Sequence, residues 1–286
     1  MSEIGNVIRI RLMQASDVPL GLSLCRFAGW NQLEGDWHRL LALNPRSIFV
    51  AEHDGVPCGT ASIICYGTKL AWIGMVLVHP DHRRHGVGSV LIKYCLDFLG
   101  AAQIECIKLD ATEQGRTVYL KHGFEDEESI SRCLLPKRPD VFGCCLQPIE
   151  EMDWQSIGKF DHDIFGADRL PLLMHLATDG VTAIAKTSNS IQGYGFARTG
   201  YNASFLGPVV ATNKDCGSDL VASLLGKLPA GRGIYWDIFP GNVNAKELAE
   251  SFEFSVERTL MRMRHGTPIF SRDINKIYGA SGFETG

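Results

Sequence analysis

Short apolar runs in the first half of the chain alternate with two helical stretches. Val7–Leu12 alternates with period two and reads as a first strand. Ser16-Asp17 followed by Pro19 has the composition of an N-cap and first turn. Two helical stretches follow, roughly Val18–Ala28 and Leu33–Leu43. Ser47–His53 and Val56–Tyr66 flank Asp54-Gly55, a pair that predicts a hairpin turn. Ala71–His79 is a fourth strand, stopped by Pro80. A helical run, Val90–Leu99, then a strand, Ile104–Asp110, come next. A short helix closes on Gly123, where glycine tolerates the left-handed position past a helix end.

Between the fourth strand and its helix lies Arg83-Arg84-His85-Gly86-Val87-Gly88-Ser89. A helix N-terminus leaves its first amides unpaired and partly positive. Gly86 and Gly88 carry no Cβ to keep a ligand away, and two arginines add charge, so a phosphate or pyrophosphate fits here. The nucleotide P-loop needs Lys-Ser/Thr after its last glycine, and Ser89-Val90 stands there instead. The dinucleotide fingerprint needs a third glycine and follows the first strand of its unit.

The Arg-x-x-Gly-x-Gly spacing resembles the acyl-CoA loop of the GNAT acetyltransferase superfamily. A second element agrees: Tyr119 stands one helical turn before Gly123-Phe124, where that superfamily places a phenol near the thioester sulfur. The element order of the whole first half is similar to the GNAT fold. This implies an α/β (α+β) architecture of tandem GNAT folds, each a mixed, mostly antiparallel sheet flanked by helices. The resemblance further implies acetyl-CoA as cosubstrate. Backbone groups of Leu77 and Val78 would pair with its pantetheine arm. Residues Arg83, Arg84, His85, Gly86, Val87, Gly88 and Ser89 would hold its pyrophosphate, with Thr112 also on the cofactor side. Tyr119 would donate to the departing sulfur, although a Tyr in a short amphipathic helix packs more often than it reacts.

The fourth strand has no carboxylate, a departure from members that place a Glu there. Asp110 is the first choice for general base, with Glu113 and His79 as alternatives. Each also has a bland role, as loop cap, solvated charge or turn residue. Trp30, Asn31, Gln32 and Trp72 are expected to line a pocket for a small amine or amino-acid-like acceptor.

The second half repeats the first in degraded form. Phe205–Val210 reads as another fourth strand and Ser218–Leu225 as its helix. Aligning Gly217-Ser218 with Gly88-Ser89 sets Thr212 opposite Arg83 and Asp215 opposite Gly86. Ile234–Ile238 is a strand, and the helix opening at Asn242 matches Phe254 to Phe124 and Ala249 to Tyr119. Loop and phenol are both missing. Domains are therefore expected at 1–147 and 148–286. The boundary follows Pro136–Asp140, Val141–Gln147 ends the first domain as a strand, and the tail from Ser271 packs only partly. Tyr235-Trp236-Asp237 reads as a buried strand with an outside claim on the acceptor.

A length of 286 residues suits two domains, and 45% hydrophobic content supports a core in each. A net charge of −4 gives no footprint for nucleic acid. Nine scattered cysteines without Cys-x-x-Cys spacing, Cys144-Cys145 being adjacent, read as reduced thiols. No metal site, membrane span or signal peptide is expected, and a cytoplasmic location is. The expected function is acetyl-CoA-dependent N-acetylation of a small-molecule primary amine by direct attack. Another acyl chain or acceptor, a non-catalytic acyl-CoA sensor, and a homodimer are left open.

Overall fold

The computed structural model describes residues 7–138, 145–188, 190–268 and 272–286. The first half runs β1 (Ile8–Leu12), α1 (Val18–Phe27), α2 (Glu34–Leu43), β2 (Ile48–His53), β3 (Val56–Tyr66), β4 (Leu70–Val78), α3 (Val87–Ala101), β5 (Cys106–Ala111), α4 (Glu113–Lys121) and β6 (Glu125–Leu135). The second half opens with α5 (Trp154–Phe165), α6 (Leu170–Asp179), β7 (Gly180–Lys186), β8 (Ile191–Arg198) and β9 (Ser204–Ala211). It continues with α7 (Lys214–Lys227), β10 (Ile234–Ile238), α8 (Val243–Ser251), β11 (Ser255–Gly266) and the short β12 (Ile277–Gly279).

The twelve strands form one sheet in the order β1-β2-β3-β4-β5-β11-β6-β10-β9-β8-β7, with β12 on β9. Pairing is antiparallel except at β4–β5 and β9–β10, the corresponding positions of the two repeats. The halves exchange strands. Met261–Gly266 of β11 pairs with Ala111–Cys106 of β5, and the other edge of β11 pairs with β6. The far edge of β6 pairs Leu135–Ser131 with Ile234–Ile238 of β10. Each half-sheet is thus completed by a strand from the other, and a cut at 147/148 divides the chain but not the sheet.

Charged side chains stitch the exchange. Arg132 of β6 and Asp237 of β10 form a two-point pair at 2.8 and 2.7 Å. Arg262 of β11 grips Asp110 of β5 at 2.8 and 2.9 Å, both side chains fully buried. Glu127 of β6 meets Lys108 of β5 at 2.8 Å, and Glu128 pairs with Arg272.

One hydrophobic core spans the α1–α2 and α5–α6 side of both halves, while α3–α4 and α7–α8 close separate cores on the opposite side. A second tie is Asn31, whose Oδ1 accepts from the amides of Asn202 and Ala203 at 2.8 and 3.0 Å. Its Nδ2 donates to the Ala203 carbonyl at 2.9 Å.

Two sequence expectations change here. Of the strand expected at Val141–Gln147, residues 141–144 lie outside the described residues, as do Pro139 and Asp140 of the boundary. Gln147 forms a single bridge with Ile184. The tail, expected to pack only partly, is buried from Ile277 to Gly286 apart from a half-exposed Phe283. Small residues allow this close fit, as where Ser281 Oγ donates to the Gly286 carbonyl at 2.6 Å. Ser271, where that tail begins, lies outside the described residues.

Candidate active site

β4 and β5 run together only over Leu70–Trp72 and Cys106–Lys108. Beyond that point no pair joins them, and β4 bulges. The register against β3 slips between Thr60 and Ser62, and Met75 adopts φ +51°. A non-glycine residue there costs on the order of 1–3 kcal/mol and persists only where neighbours impose it. The Thr60 hydroxyl donates to the Met75 carbonyl at 2.8 Å and helps hold the kink. The result is a cleft between parting parallel strands. Leu77 and Val78 lie opposite Thr60 and Gly59 of β3, and the β5-side edge of β4 has no strand partner beyond Trp72, the kind of edge that an added strand-like ligand uses.

The loop after β4 ends at the mouth of this cleft. Gly86 is the N-cap of α3 at φ +85°, in the left-handed region, with nothing within 4 Å of a Cβ built there. The first intrahelical bond runs from Val90 to the Gly86 carbonyl. The amides of Val87, Gly88 and Ser89 precede it and have no helical partner. Arg83, Arg84, His85 and Gly86 are exposed. Arg83 Nε reaches back to the Val78 carbonyl at 3.1 Å, and Ser89 Oγ lies 2.7 Å from His122 Nε2. The helix begins three residues earlier than the pattern indicates, so Gly88 and Ser89 belong to its first turn.

Tyr119 of α4 packs into the core shared by α3 and β5, its ring 5.9 Å from Phe124. Burial pushes its phenol well above the ordinary value, so it is protonated at neutral pH. Thr112 is the N-cap of α4, its Oγ1 accepting from the Gly115 amide at 3.1 Å.

On the opposite face the C-terminal segment lies against β4. A Cβ at position 74 would come within 2.6 Å of the Glu284 carbonyl oxygen, so glycine permits this approach. Trp72 Nε1 donates to the Phe283 carbonyl at 3.1 Å, and the Tyr66 hydroxyl to that of Thr285 at 2.6 Å. The Arg262 guanidinium lies over the Trp72 ring at 4.3 Å and over the Phe239 ring at 4.7 Å. Gln32 donates to Glu284 at 3.1 Å, while Trp30 is half-buried.

Several expected site residues have other duties here. Asp110 is wholly buried with both oxygens on Arg262, and Asn31 is spent on the tie to Asn202 and Ala203. Glu113 is exposed, and the His79 ring packs edge-on against Phe27 at 4.8 Å. In the second half, Trp236 and Asp237 lie buried in β10. No motif marks Glu284, because its contacts with Gly74 and Gln32 join positions more than two hundred residues apart.

The second half keeps the frame with a different helix cap. α7 starts at Lys214, earlier than the Gly217-Ser218 alignment implies, which sets Asn213 at the cap where the first half has Gly86. The Asn213 side chain accepts from the Cys216 amide at 3.0 Å, occupying what a phosphate would use. The Phe254 amide bonds back to the Ala249 carbonyl at 2.8 Å as that of Phe124 does to Tyr119 at 3.2 Å, which sets Ala249 at the position equivalent to Tyr119.

A duplicated unit of this order, with parallel strands parting at each repeat, defines a tandem acyltransferase fold. The chain belongs to the GNAT acetyltransferase superfamily: family models described as acetyltransferase (GNAT) domains match residues 44–126 and 157–279. It is 27% identical over 220 residues, 74% of either chain, to YitH, an uncharacterized N-acetyltransferase of Bacillus subtilis (strain 168). Its fold is like that of a putative acetyltransferase from Pyrococcus horikoshii, with TM-score 0.83 and 23% identity over 100% of this chain and 99% of that one. A tandem GNAT protein from the clavulanic acid biosynthesis pathway gives TM-score 0.67 at 14% identity, covering 92% of this chain and 99% of its own.

Proposed function

We propose that residues 1–147 supply the catalytic unit of an acetyl-CoA-dependent N-acetyltransferase acting on a primary amine of a small molecule, and that 148–286 form its non-catalytic repeat. The observation that carries this reading is an asymmetry. An open glycine-capped helix and a buried phenol flank the parted strands of the first half, and both are replaced in the second. No helix among the described residues is long and apolar enough to cross a membrane. The described cysteines are free, which fits a reducing compartment, and we place the protein in the cytoplasm.

The acetyl-CoA diphosphate would take the amides of Val87, Gly88 and Ser89, with Arg83 and Arg84 beside them. Each charge-assisted hydrogen bond contributes roughly 1.5–3 kcal/mol. The pantetheine arm would lie along Leu77 and Val78, setting the thioester beside the bulge at Met75. Holding both reactants there is the largest contribution such a site makes. The amine attacks the thioester carbon, the C–N bond forms and the C–S bond breaks. Tyr119 gives its proton to the leaving sulfur and regains one from the new amide nitrogen.

Tyr119→Phe is expected to lower kcat about 100-fold, within the span of general acid catalysis, and to leave the Kd for acetyl-CoA within a factor of about two. Thiol release with a panel of primary amines measures the first, and tryptophan fluorescence titration the second. An unchanged kcat removes Tyr119 from the chemistry. Gly86→Val acts on the other reactant. A branched residue held at φ +85° costs roughly 1–2 kcal/mol and crowds the diphosphate, so acetyl-CoA affinity should fall at least about tenfold while kcat at saturation persists.

A further inference from the structure

We propose that Glu284, from the C-terminal segment, is the carboxylate that receives the acceptor's ammonium group and takes its proton, in a subsite completed by Gln32. This rests on the reading of the protein as an amine acetyltransferase. Position comes first. The Glu284 backbone sits on Gly74, one residue before the Met75 bulge, where β4 leaves β5. Its carboxylate lines a small pocket at the junction of the halves with Asn31, Gln32, Asp36, Arg198 and Phe205.

The neighbouring buried carboxylates are already spent. Asp110, Asp237 and Asp161 each give both oxygens to one arginine, respectively Arg262, Arg132 and Arg169. Asp36 accepts from Arg39 with one oxygen and caps α2 through the Leu33 amide with the other. Glu284 is held more loosely. Arg198 comes no nearer than 3.5 Å and directs its N–H groups to the carbonyls of Gly207 and Ser281. The Gln32 amide at 3.1 Å is the carboxylate's remaining side-chain donor and its own backbone amide bonds it too, so no arginine grips both of its oxygens.

A second observation points to the same ligand. Gln32 Oε1 is buried with no hydrogen-bond partner, although its residue lines this pocket. An unpaired buried acceptor costs on the order of 1–3 kcal/mol, which an incoming N–H donor recovers. A carboxylate not gripped by an arginine, beside an orphan carbonyl oxygen, suits a primary ammonium.

The charges facing Glu284 are Arg198, Asp36 and Arg132, with Arg39 behind Asp36. Burial pushes the Glu284 carboxyl up, against the opposing pull of Arg198. A raised carboxyl is a stronger base, and it works only when ionised, so turnover rises with pH through its titration. The proton balance closes. The ammonium gives one proton to the carboxylate and becomes the amine that attacks, and Glu284 later returns that proton to water. The second N–H proton passes to tyrosinate after Tyr119 protonates the thiolate. The half that lost its own phosphate loop therefore serves the acceptor through Arg198, Phe205 and Glu284.

Glu284→Gln keeps the side-chain shape and an oxygen for the Gln32 amide. We expect kcat/KM for amines to fall about 100-fold, the acidic limb of the pH–rate profile to vanish, and acetyl-CoA affinity to stay. Saturation-transfer NMR with n-propylammonium should show binding to the CoA-loaded wild type, weakened at least tenfold in Glu284→Gln. Gln32→Met should raise the amine KM severalfold with kcat retained. An unchanged amine kcat/KM and pH profile in Glu284→Gln, or equal propylammonium binding by both proteins, overturns the proposal. Glu284-dependent propylammonium binding without thiol release from any amine upholds the ammonium subsite and instead ends the acetyl-transfer reading.

Discussion

Asp110→Asn is expected to lower the melting temperature by about 10 °C while leaving the pH dependence of turnover intact. Both oxygens of Asp110 are held by Arg262, and that guanidinium is enclosed between Trp72 and Phe239. The substitution leaves a cation buried without its counter-charge, which costs about 3–5 kcal/mol. In a chain of this size each kcal/mol moves the midpoint by roughly 2–4 °C. The position at the end of β5 invites assignment as a general base, but the pairing gives it a different task. Asp110 fixes Arg262, and Arg262 lies over the Trp72 ring. Calorimetric melting and a pH–rate profile decide the matter together. A normal melting temperature with a lost acidic limb would return Asp110 to the chemistry.

Residues 1–147 produced alone are expected to show no cooperative unfolding and no thiol release. Without β11, the edge of β5 is bare and Asp110 keeps no partner. β6 loses both of its neighbours, β11 and β10. The ion-pair loss alone approaches the 5–15 kcal/mol by which native proteins are ordinarily stable. Co-expression with 148–286 should restore both the transition and the activity, because the exchanged strands need no covalent link across the cut. Circular dichroism melts and a thiol assay on the fragment and the reassembled pair provide the check. A fragment that melts cooperatively by itself would mean that the exchange is dispensable.

What the sequence revealed and what it hid have separable causes. The loop at Arg83–Ser89 and the spacing of Tyr119 to Gly123-Phe124 are local, and local chemistry is legible: a glycine at a helix cap says the same thing in any fold. The hairpin around Asp54-Gly55 was readable for the same reason. β6 was hidden because Glu125, Asp126, Glu127 and Glu128 look like a solvated surface. In the structure these acids meet Arg264, Arg116, Lys108 and Arg272, three of them on other strands or beyond β11. β11, with Arg258, Arg262 and Arg264, was masked in the same way. The bulge at Met75 has no residue signal, since a non-glycine is forced there by its neighbours. Gly279–Gly286 has the composition of a loose end, yet small residues are what let the segment settle onto Gly74. Asn31 and Gln32 are expected from the sequence to line an acceptor pocket, and in the structure both bond to the other half of the chain. That Asn31 is structural while Gln32 keeps an orphan oxygen depends on distances no sequence states.

The traded strands have a consequence for how such a protein can change over generations. A duplicate that lends a strand to its twin and borrows one back is no longer a spare copy. Loss of either half would strip the other of a strand partner, so the two must be inherited together.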